Sequence, residues 1–148
     1  MMKISTALKR KNKLTIELSR LRERINRHNS VLVGNERPYD IKLLQGELTE
    51  KTDALIELKT RLFMANLPIQ RLIFEMSELK GLAKYYRTLD VKKGRQVAFS
   101  RFNDGSEPRE YEAVLTEADI DRLTTDLENR IDIIQEQLDV YNATTELP

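Results

Sequence analysis

Apolar residues recur along most of this chain in steps of three and four, the spacing that draws one stripe down an α-helix. The clearest run is TEADIDRLTTDLENRIDIIQEQLDVY, residues 116–141. It sets Ile120, Leu123, Leu127, Ile131, Ile134, Leu138 and Tyr141 on one seam narrow enough for coiled-coil packing. The spacing predicts a helix over 117–141. Thr116 with Asp119 three residues on predicts a capped start, a hydroxyl for an orphan N–H and an acid near the positive helix end.

A second run, residues 3–30, aligns Ile4, Leu8, Leu14, Leu18, Leu21 and Ile25, with Lys11 where one apolar residue is missing. VLVGNERPYD, residues 31–40, punctuates it. Gly34 and Asn35 suit a left-handed cap, Pro38 blocks continuation, and Asp40 is a natural N-cap. A third helix is predicted over 41–64 from Ile41, Leu44, Leu48, Leu55, Leu58 and Leu62, with Gly46 inside it. The short connection predicts an antiparallel hairpin of these two helices, each arm about 35–40 Å long.

Residues 65–68 predict another break, since Leu67 precedes Pro68 and is disfavoured in helix. A further helix over 69–89 carries the widest apolar stripe (Ile69, Leu72, Ile73, Met76, Leu79, Leu82, Ala83, Tyr86), predicting the most enclosed element. The period then changes. RQVAFSRF, NDGSEP and REYEAVL predict a β-hairpin over 95–115, which needs a helix or a second subunit to pack on. The expected fold is therefore mainly all-α: one domain over 1–148, a long antiparallel helical hairpin plus two further helices in a coiled-coil-like bundle, with a small β-hairpin insertion.

Charge refines the picture. Overall it is +1, but residues 3–30 carry nine cations against two acids, while residues 116–141 carry eight carboxylates against two arginines. Complementary flanks beside apolar seams predict that the first and last helices pack side by side. The alternative is that the basic face, with Arg20, Arg24 and Arg27, binds phosphate of nucleic acid or an anionic surface. Apolar seams on every helix and an exposed strand edge point to a homo-oligomer.

Catalytic chemistry finds little to work with. No cysteine is present, which removes disulfides and thiolate catalysis. The single histidine, His28, stands beside Arg24 and Arg27, without the nearby carboxylate a general base would use for orientation. No Glu-x-x-His pair, Gly-rich phosphate loop or nucleophile elbow occurs, so no enzyme, metal, cofactor or small-molecule substrate is expected. The polar tail NATTELP, residues 142–148, reads as a helix cap through Asn142, Thr144 and Thr145, or as a ligand- or subunit-docking tail. No apolar run reaches 18 residues and the N-terminus lacks the apolar centre of an export signal, so a cytoplasmic protein is the expectation.

Three stretches, MKISTALKRKNKL, LRERINRHNSVLVGNERP and QLDVYNATTEL, together resemble the bacterial family of small helical proteins labelled septicolysin. The chain departs from that family at residues 64–68 and 75–77, and residues 92–109 are longer than usual. The resemblance implies a helical architecture, and its label implies membrane lysis. Lysis would require export and a lipid-facing surface, whereas these helices have highly charged backs.

Overall fold

The computed structural model describes residues 1–97 and 107–148. Among these, four α-helices, α1 (Ile4–His28), α2 (Ile41–Asn66), α3 (Gln70–Arg87) and α4 (Glu117–Thr144), are joined by a 3-10 turn (Leu67–Ile69) and two short strands, β1 (Gly94–Gln96) and β2 (Arg109–Tyr111). The fold is mainly helical, with helix–helix packing of the bundle kind expected. The chain divides into two compact units, one formed by Met1–Gln70 with Asp139–Pro148, the other by Arg71–Leu138.

In the first unit α1 and α2 form the antiparallel hairpin that the short connection predicts. Ile4, Ala7 and Leu14 share a core with Leu58, Leu62 and Ala65, and half-way along Lys51 bonds Glu17 at 2.8 Å. The first helix's partner in this unit is thus α2. The physical reason is proximity in sequence. A connection of a dozen residues closes at little entropic cost, and any leucine seam satisfies another. What α4 adds to this core is its final turn, through Tyr141, and the segment after it, through Leu147.

That segment completes α1. No side chain caps the start of α1 at Lys3; instead the Ile4 N–H donates to the Thr145 carbonyl at 2.9 Å. Leu147 N–H donates to the Met2 carbonyl at 2.8 Å, and Lys3 and Glu146 form an antiparallel bridge. Leu147 is only 1% exposed. The Tyr141 hydroxyl donates to the Ala65 carbonyl at 2.7 Å and the Arg61 Nε–H to the Pro148 carbonyl at 2.9 Å.

The start of α2 follows the sequence closely, with Asp40 Oδ1 accepting from the N–H groups of Lys42 and Leu43 at 3.1 and 3.3 Å. Its end does not. Leu67 keeps helical dihedrals (φ −51°, ψ −44°) despite preceding proline, so where a break was expected at residues 65–68, α2 runs on to Asn66 and Leu67–Ile69 tighten into a 3-10 turn. Pro68 falls in the first turn of the next helical segment, where its missing N–H costs no hydrogen bond.

In the second unit α4 starts as predicted. Thr116 Oγ1 accepts from Asp119 N–H at 3.3 Å, and Asp119 Oδ2 accepts from Thr116 N–H at 3.0 Å, a reciprocal capping box. These bonds to Thr116, with Arg122 beside them, hold the Asp119 carboxyl below its ordinary value. Side-chain pairs link α3 and α4: Arg87 with Glu128, and Arg130 with Glu75 at 3.3 Å. The α3 stripe is not the most enclosed, for it buries only Leu79 and Ala83, whereas α1 buries five residues. Among the described residues the hairpin pairs Gly94 with Tyr111, Arg95 with Glu110 and Gln96 with Arg109. Both strands are exposed, and residues 98–106, with most of the predicted turn at 103–108, lie outside the described residues. Among the described residues no helix is long and apolar enough to cross a membrane.

Candidate interaction surface

On α1 Ile4, Ala7 and Leu14 share a core with α2 and the tail, and Leu18 and Leu21 are buried as well, which leaves the helix flank and back to the charged residues. Lys9, Lys13, Arg20, Arg24 and Arg27 are all exposed. At 100° per residue they fall within about 60° of one another, a basic strip roughly 27 Å long at 1.5 Å per residue. Arg27 pairs with Glu23 of its own helix at 2.6 Å and Lys13 stands 4.0 Å from Glu17. Lys51, reaching from α2, is the dominant cause holding the Glu17 carboxyl below its ordinary value, and Glu17 in turn raises Lys51. Arg20 and Arg24 line a shallow groove between α1 and α2 with Glu17, Glu47 and Lys51.

At the open end of the hairpin the cations meet an aromatic. The Arg24 guanidinium lies over the Tyr39 ring, 5.2 Å from its centroid, and the His28 ring tilts against the same tyrosine at 5.3 Å. His28 is half-buried as a packing partner of Tyr39. Arg37 donates to the Asn29 carbonyl at 3.2 Å, tying the loop to the end of α1. Among the described residues no cluster of His, Asp and Glu is assembled that would hold a metal ion, and no buried side-chain polar atom lacks a partner.

The three tail residues singled out in the sequence sit together at the other end of the same unit. Thr144 Oγ1 donates to the Val140 carbonyl at 2.7 Å and Thr145 N–H to the Tyr141 carbonyl at 2.9 Å, while Asn142 is half-buried in the last turn of α4. The tail therefore caps its own helix and docks on its own chain. It lies far in sequence from Arg20, Arg24, Arg27 and His28, and the fold does not bring the two groups into one site.

Sequence reasoning missed three features. Tyr39 was available as an aromatic next to a proline, in reach of a basic helix end. Leu32 and Val33 look like the close of a helical seam, yet they project from the loop between α1 and α2 at 78% and 105% exposure. Ile56, Phe63 and Leu67, spaced seven and four apart, lie on the outer face of α2 and its 3-10 extension, each about half exposed or more. No family model, curated protein or solved structure matches this chain.

Proposed function

We propose that this protein acts without catalysis, by docking its helical faces against protein partners, a second copy of itself first among them. The observation that carries this reading is the set of large apolar side chains left in solvent at helical spacing. Ile56, Phe63 and Leu67 stand on one face in the first unit; in the second, Phe74 and Tyr85 lie three turns apart on α3. Single exposed apolar residues are ordinary, but rows of them along a helix are how helix-in-groove partners are recognised. Sedimentation velocity across a wide concentration range tests it. A discrete oligomer that Phe63→Ser or Phe74→Ser dissociates supports the reading. A monomer at every concentration, capturing no partner, defeats it.

A second reading is supported by a separate observation, the solvent exposure of Arg20, Arg24 and Arg27. Within its own unit the strip has Glu23 and Glu17 as its acidic neighbours, and its arginines remain exposed. A polyanion, whether nucleic acid or an anionic surface, is its natural counterpart. Binding that weakens steeply with salt and disappears in the triple Arg→Gln variant supports it; binding indifferent to salt removes it.

A further inference from the structure

The loop between α1 and α2 presents its most apolar residues at its apex. Asn35 N–H donates to the Leu32 carbonyl at 3.0 Å and Gly34 has φ +93°, the bond and the positive dihedral of a turn that places Val33 and Gly34 at the corner. The turn leaves the Leu32 and Val33 side chains with almost no protein around them. Between residues 20 and 42, six cations (Arg20, Arg22, Arg24, Arg27, Arg37 and Lys42) stand against three acids. Two of those acids are already engaged, Glu23 with Arg27 and Asp40 at the N-terminus of α2. Tyr39, 38% exposed, lies against the last turns of α1, with Arg24 across its face and His28 beside it.

We infer that this hairpin end is a membrane-contact tip: Leu32 and Val33 enter the headgroup–acyl boundary of an anionic bilayer, and the surrounding arginines bind its phosphates and carboxylates. This rests on the second reading above and names its counterpart. A nucleic acid would be served by the cations alone and has no use for two aliphatic side chains held out on a turn. A bilayer uses both, aliphatic side chains at the apex and, behind them, a tyrosine and cations together at the level of the helix end. Contact of this depth anchors the protein to one leaflet; it does not perforate it.

The test uses the full chain and two vesicle compositions, phosphatidylcholine alone and phosphatidylcholine with about 30% phosphatidylserine, the anionic component that attracts polybasic segments. The expected result is co-sedimentation with the anionic vesicles only. Leu32→Ser with Val33→Ser should weaken it at least tenfold, and Arg24→Gln or Arg27→Gln about fivefold each. Because the protein contains no tryptophan, Val33→Trp installs a single reporter whose emission should shift to the blue on vesicles. Both loop positions are exposed, and circular dichroism checks that the variants keep their helices. Anionic-vesicle binding that survives the double serine change but fails without Arg24 and Arg27 overturns the tip while leaving the polyanion reading in place. So does binding to single-stranded RNA or duplex DNA with vesicles ignored. Binding to none of these removes both.

Discussion

At one end of the α1–α2 pair, Ile4, Ala7, Leu58, Leu62, Ala65 and Leu147 close a core; at the other, no residue from 22 to 43 is buried. The two ends belong to the same pair of helices and carry similar apolar periodicity. They differ in what reaches them from elsewhere in the chain. The end near Ile4 receives the last turn of α4 and the tail, whose carbonyl at Thr145 satisfies an orphan N–H of α1. Within this unit the end near His28 is closed by its own loop, held by Asp40, Arg37 and the Tyr39 stack. A two-helix pair buries one stripe per helix and no more. A third segment decides where solvent is excluded, and here it seals one end and leaves the other available to a partner.

The largest test of that contrast is Leu147→Ala. Removing a side chain that is 1% exposed should lower stability by about 2–5 kcal/mol, read as a shift in the urea midpoint. A change under half a kcal/mol, the size usual at the surface, would mean the tail does not seal the core. Next in size is Gly46→Ala in α2. A Cβ there meets nothing within 4 Å, so the helix should gain up to about 1 kcal/mol from propensity alone. A loss would reveal a close approach at Gly46.

Between the two ends, pH probes the Glu17–Lys51 pair. The lowered Glu17 carboxyl contributes stability that is present above its ordinary value of 4.5 and lost as pH falls through its folded value. The raised Lys51 contributes below 10.5, its ordinary value, and that share is lost in strong base. Glu17→Gln should therefore lower stability slightly in the neutral region, leave the acid end where it was, and so flatten the acid limb of a thermal-denaturation profile. An unchanged acid limb would remove the pair from the account. Smallest of all, Leu32→Ser with Val33→Ser should move stability by less than about 0.5 kcal/mol, since neither side chain is buried. A large loss would show that the loop packs on something in solution.

The legible parts of the fold were those governed by short stretches. The helical runs follow from period, and the starts of α2 and α4 from Asp40 and from Thr116 with Asp119, because a cap bonds N–H groups two or three residues away. Gly34 likewise announced its positive φ. The candidate site was legible only in half. Arg20, Arg24 and Arg27 could be named as a basic face, but whether acids cover them depended on which helix pairs with which. Charge matching between flanks does not by itself name a neighbour, since acidic and basic flanks are compatible with many arrangements. Tyr39, Leu32 and Val33 gave no periodic signal of their own.

By itself, then, the amino-acid order determined where helices begin, which face of each is apolar, and that α1 and α2 double back on one another. These depend on interactions within a few residues or across one short loop. Tertiary structure alone decided that the segment after α4 completes the start of α1, that Leu67–Ile69 tighten into a 3-10 turn without interrupting the helical path, and that a valine stands bare at the hairpin apex. Each of those outcomes turns on groups distant in sequence meeting, or failing to meet, and leucine seams and backbone carbonyls do not encode which distant partner will arrive.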